Sequence, residues 1–147
     1  IGTYLRQGSS SAFQSDHESV RYASIRQESD RLTLDVKYHL PEPAIFPCLG
    51  FVVSDPTGNP IFGTNPKFDN VAPLSTPRTS GQISVSIRQP ALADGTYYLS
   101  LWFGDGVTDF FIGRDCLTFE VFGMTKTQHQ RPNMNGYVSP TCEWRID

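Results

Sequence analysis

Thr96-Tyr97-Tyr98-Leu99-Ser100-Leu101-Trp102-Phe103 alternates residue by residue, with Tyr97, Leu99, Leu101 and Phe103 on one side and Tyr98, Ser100 and Trp102 on the other. Successive side chains of a β-strand point to opposite faces, so this period of two marks a strand with one face in a core. The turn signal Asp94-Gly95 precedes it and Asp105-Gly106 follows it, as expected of Asp and Gly between strands. Upstream, Ile83, Val85 and Ile87 alternate with Gln82, Ser84, Ser86 and Arg88 in the same way. Further upstream, Leu32, Leu34, Val36, Tyr38 and Leu40 alternate with Thr33, Asp35, Lys37 and His39 until Pro41 and Pro43, which cannot donate to a sheet ladder. The run at residues 49–55 ends in Asp55-Pro56-Thr57-Gly58, and Ile61-Phe62-Gly63-Thr64-Asn65 follows at once, which predicts a hairpin. Residues 66–81 read as a long loop. Downstream, Leu117, Phe119 and Val121 mark another strand, and a polar stretch leads to a short last strand from Gly136 to Trp144.

No segment shows helical periodicity over three turns, and no internal repeat is visible. Short strands, turn signals and one wet face each predict an all-β domain of two packed antiparallel sheets, a jelly-roll or immunoglobulin-like sandwich. Periodicity does not choose between the two. The Ser-rich residues 1–19 read as a linker or loose arm, and 20–147 as a single domain. The chain has 147 residues, 38% of them apolar and 18% charged, a composition that folds rather than staying disordered. Twelve Lys and Arg against 15 Asp and Glu leave a net charge of −3, which argues against a nucleic-acid partner, since phosphate backbones need a concentrated basic surface. No apolar run approaches the ~20 residues that cross a bilayer as a helix. Cys48, Cys116 and Cys142 form no CxxC pair, so a reducing compartment is expected. The chain starts at Ile1 and reads as a piece of something longer.

Catalytic motifs are hard to find. His17, His39 and His129 are scattered and fit no metal-ligand spacing, and no nucleophile elbow or phosphate-binding loop is present, so neither metal nor cofactor is expected. Asp105 and Asp109 are close enough in sequence to pair as glycosidase acids, but they flank an Asp-Gly turn in which Asp commonly bonds its own backbone. The wet side of residues 96–103 is more informative. Tyr98 and Trp102 stand where Thr, Lys or Glu would be ordinary, and flat rings there suit the apolar C–H faces of sugars. If residues 82–88 paired alongside, Ser86 and Arg88 would join Ser100 on that surface, with Arg88 presenting a planar fork to an anion. The competing reading covers Tyr98 and Trp102 with a loop, an arm or another protein. The choice of sheet is also open, since Asp35, Lys37 and His39 form the wet face of another strand.

The stretch Leu49-Gly50-Phe51-Val52-Val53-Ser54-Asp55-Pro56-Thr57-Gly58-Asn59-Pro60-Ile61-Phe62-Gly63-Thr64-Asn65 resembles the GF-x-hydrophobic-x-D-x-x-G-x-x-[IVL]-F-G-T-N signature of the C-terminal carbohydrate-binding domain of Wzt-type ATPase subunits. These belong to ABC transporters that export bacterial O-antigen polysaccharide. Residues 31–38 look like that family's preceding strand, and 92–100 like its L-x-x-G-x-Y-x-L-S strand. Phe119-Glu120-Val121 with Gly136-Tyr137-Val138 and Trp144 resembles its closing segment. The likeness spans residues 28–147. It implies a non-catalytic sandwich of jelly-roll type that binds the non-reducing end of a finished glycan; taken with the wet face of residues 96–103, the expected contacts are Tyr98, Trp102, Ser100, Ser86 and Arg88. It further implies a homodimer exchanging its last strand, an upstream ATPase domain, a transmembrane transporter partner and a cytoplasmic place at the inner membrane. A protein-binding or adhesion-type sandwich is the alternative, and a glycoside-processing enzyme a more distant one.

Overall fold

The computed structural model describes residues 12–14, 18–124 and 140–147. Among the described residues nine strands run in chain order: β1 (Ala12–Gln14), β2 (Val20–Glu28), β3 (Arg31–Ala44), β4 (Cys48–Ser54), β5 (Pro60–Thr64), β6 (Arg78–Gln89), β7 (Gly95–Gly104), β8 (Asp109–Val121) and β9 (Thr141–Ile146). They form two sheets with antiparallel neighbours, sheet I in the order β1-β2-β3-β6-β9 and sheet II in the order β5-β4-β7-β8. The expected all-β sandwich is therefore present. Of the two architectures, the strand order selects the immunoglobulin-like one, not the jelly roll that the resemblance implies. An immunoglobulin domain sets strands A, B and E in one sheet and C′, C, F and G in the other. Here β2, β3 and β6 match the first set and β5, β4, β7 and β8 the second. β9 fills the place of strand D beside β6. Tyr97, at the start of β7, donates its hydroxyl to the Ala93 carbonyl at 2.7 Å, the tyrosine corner expected at the start of strand F.

The alternating apolar residues face each other across the sandwich. Leu32, Leu34, Val36, Tyr38, Ile83, Val85 and Ile87 of sheet I meet Leu49, Phe51, Val53, Leu99, Leu101, Phe103, Leu117 and Phe119 of sheet II, all buried. Several strand limits differ from expectation: β3 runs on through Pro41 and Pro43 to Ala44, β6 begins at Arg78 inside the segment read as a loop, and β8 begins at Asp109, well before Leu117. Ala12–Gln14, within the segment read as a loose arm, pairs with Tyr22, Ala23 and Ser24 of β2. The described part of the last strand, Thr141–Ile146, pairs with β6 of its own chain; residues 136–139 of the expected strand lie outside the described residues.

Polar contacts on the outer face of sheet I add a pH-sensitive element. Asp35 accepts from the Ser84 hydroxyl at 2.6 Å and the Arg26 guanidinium at 2.9 Å. Partial burial pushes its carboxyl up, but these hydrogen bonds outweigh that effect and leave it below its ordinary value. A depressed carboxyl contributes stability above the unfolded value, about pH 4, and loses it as pH falls through the folded value. Asp35→Asn is expected to remove this part of the acid limb, so parent and variant stabilities converge at the acid end of a denaturation series. Parallel curves would contradict the assignment.

Candidate functional site

β7 crosses the middle of sheet II and turns Tyr98, Ser100 and Trp102 outward, as its alternation predicts. Trp102 stands opposite Gly50 of β4 and Ile112 of β8. The Nε1–Cε2–Cζ2 side of its indole covers Gly50, where an added methyl would overlap the ring; the glycine is what lets the ring come this close to the sheet. Two hollows share Trp102, Val52 and Pro60. One, about 500 Å³, continues over Ile112 with Ser54, Asp109, Arg114 and Asp115 around it. The other, about 360 Å³, runs over Gly63 to Phe68. Together they make a trough with Trp102 at its centre and two exposed apolar side chains, Ile112 (60% exposed) and Phe68 (78%), at its ends.

Local backbone devices set this shape. β8 shifts register against β7 between Leu99 and Leu101, and Asp115 there adopts a φ of 48°, a bulge of the kind that re-aims side chains. Ser100 holds the bulge. Its hydroxyl accepts from the Asp115 amide at 2.8 Å and lies 3.4 Å from the Asp115 carboxylate. Ser100 thus shapes the hollow as well as lining it. Tyr98, half-buried, lies opposite Ser54 and Thr118 and lines neither hollow; its neighbour Ser54 lines the larger one.

Ser86 and Arg88 are not part of this surface. β6 belongs to sheet I, so the conditional pairing of residues 82–88 beside β7 does not occur. Both side chains face outward on the opposite side of the sandwich. There Ser86 lines a shallow polar groove of about 420 Å³ with Arg26, Glu28, Thr33 and Asp35. Arg88 is ion-paired with Glu143 at 3.1 Å. Period-two patterning gives the facing of each strand but not the sheet that receives it.

The two candidate acids differ in their surroundings. Asp105 turns its carboxylate onto its own turn, accepting from the amides of Val107 at 2.9 Å and Thr108 at 2.8 Å. The Thr108 and Val107 amides hold its carboxyl below the ordinary range, the reverse of what a general acid needs. Asp109 lies at the edge of the larger hollow. Burial pushes the Cys116 and Cys142 thiols up to about 12, so neither is a ready nucleophile. Among the described residues no group of His, Cys, Asp and Glu is placed to hold a metal ion. His39 is exposed on β3, and His17 and His129 lie outside the described residues. Among the described residues no helix is long and apolar enough to cross a membrane.

The molecule is an immunoglobulin-like sandwich with an open trough around Trp102 on one sheet. A family model described as the Wzt C-terminal domain matches residues 15–139, and the chain belongs to that family, a non-catalytic one. Membership supports a role in an O-antigen ABC transporter. Among solved structures the fold is similar to one titled "Crystal structure of the C-terminal domain of wzt", with a TM-score of 0.59 and 13% identity, covering 79% of this chain and 80% of that one. Comparison with curated proteins gives no match.

Proposed function

We propose that the sheet II trough binds the non-reducing terminus of an O-antigen polysaccharide and so selects finished chains for export. The observation that carries this reading is Trp102, whose partly exposed indole covers Gly50 and lines both hollows. A flat indole offers apolar area to a sugar's C–H face, while Arg114, Asp115 and Ser54 stand close enough to address its hydroxyls. Tyr98, Ser100 and Trp102 remain the proposed contacts from β7, and Phe68, Ile112 and Arg114 join them. Ser86 and Arg88 face away from this trough and are proposed only for the groove of sheet I.

In this reading residues 20–147, with the short β1, form the recognition domain of a longer subunit. Its ATPase domain and a transmembrane partner lie elsewhere, on the cytoplasmic side of the inner membrane. A homodimer would present two troughs and gain avidity where one surface displays clustered chains. Exchange of β9 between subunits would fill the same edge of β6 that β9 fills here.

The test is a titration of the 147-residue chain with polysaccharide released by mild acid from the lipopolysaccharide of its own host, followed by amide proton–nitrogen spectra. Saturable shifts at Trp102, Ile112, Arg114 and Phe68 are expected. Shifts confined to Ser86, Arg88 and Glu143 would move the site to sheet I, and a silent spectrum would overturn glycan binding. The exposed Ile112 and Phe68 also suit an apolar protein partner. That reading predicts no response to glycan.

A further inference from the structure

Phe68, which walls the smaller hollow, sits in a turn that is fastened to the opposite sheet. Asn65 accepts from the amides of Lys67 at 2.8 Å and Phe68 at 3.1 Å, and the Lys67 ammonium reaches the Gly106 carbonyl. The next residue, Asp69, has both carboxylate oxygens engaged. One accepts from the Thr64 hydroxyl at 2.9 Å, the other from the indole N–H of Trp144 at 2.7 Å. Trp144 belongs to β9, the edge strand of sheet I, and its ring packs on Phe51 of sheet II with centroids 6.2 Å apart. A hydrogen bond to an ionised acceptor is roughly twice as strong as a neutral one. This one joins the trough wall to the C-terminal strand.

We propose that Asp69 is a positioning residue for the trough, tying Phe68 to Trp144 so that occupancy of the trough and docking of β9 stabilise each other. The proposal rests on the glycan reading for its ligand, and on the turn geometry for the coupling itself. Phe68 is 78% exposed, so its place is set by the turn rather than by core packing. The turn in turn leans on β9 through one carboxylate. Coupling of this kind is reciprocal: a ligand that presses on Phe68 holds β9, and loosening β9 weakens the ligand.

Trp144→Phe removes the N–H and keeps a ring against Phe51, so it tests the bond with little change in packing. Using the host polysaccharide as probe, affinity is expected to fall about 3- to 10-fold, the lower range of ordinary coupling energies. Asp69→Asn, which retains an acceptor, should lose less than Asp69→Ala. In the parent chain, saturating polysaccharide should slow hydrogen exchange of residues 141–146, although the trough lies on the other sheet. Parental affinity in Trp144→Phe, or unchanged exchange at saturation while Trp102 responds, overturns the proposal and leaves the glycan reading standing. A ligand-free readout separates the two in the other direction. In the unliganded chain, Trp144→Phe should displace the Phe68 amide and the Trp102 indole signals. If they stay in place, the coupling fails whatever the polysaccharide does.

Discussion

Phe51→Ala is expected to lower stability by about 3–5 kcal/mol, the cost of emptying a large aromatic site in a packed core. Phe51 is fully buried in β4, meets Phe62 edge-on at 6.5 Å and Trp144 at 6.2 Å, and so stands where both sheets and the last strand converge. Truncation removes its own contacts and undercuts the ring that anchors β9. A domain of ordinary stability holds only about 5–15 kcal/mol in total, so a melting point ~10 °C lower is the expected result. Thermal unfolding followed by near-ultraviolet dichroism checks it. A shift of only a degree or two would mean that the two sheets do not depend on this contact.

Trp102→Ala should have the largest effect on binding. The indole is the one side chain shared by both hollows that is aromatic, and its removal leaves a flat patch over Gly50. Stacking area of this size is worth about 10- to 100-fold in affinity, roughly 1.4–2.8 kcal/mol. The melting point should barely move, because the ring lies on the outer face and not in the core. Calorimetric titration with the host polysaccharide distinguishes this from damage to the fold. A folded Trp102→Ala chain that binds as tightly as the parent would remove the trough from consideration. Gly50 gives a complementary route to the same ring, since any side chain there must displace the indole.

Most of the sandwich was readable because its strands carry one apolar face. β3 as far as Leu40 and β7 follow strict alternation, and the β4–β5 hairpin is marked by its turn at residues 55–58. β2 hid because its register shifts between Val20 and Tyr22, which breaks the period of its buried residues, Val20, Ala23 and Ile25. The first half of β8 was hidden for a similar reason, its bulge at Asp115. Alternation also fixes only in or out, so Ser86 and Arg88 were given the correct facing on the wrong sheet. Phe68 gave a faint signal at best, a single aromatic within a stretch of Pro, Asn and Thr. Its importance comes from the hydrogen bonds of Asn65 and Asp69, which join residues 75 positions apart in the case of Trp144.

The place of β9 beside β6 has a consequence for how the domain is made. Residues 78–89 leave the ribosome well before 141–146, so for that interval the outer edge of β6 is an unfilled row of amides and carbonyls. Such an edge pairs readily with any suitable strand nearby. In the strand-exchanged homodimer proposed above, residues 141–146 of another copy would fill that same edge, and the interval before a chain's own 141–146 emerges is when such an exchange would begin.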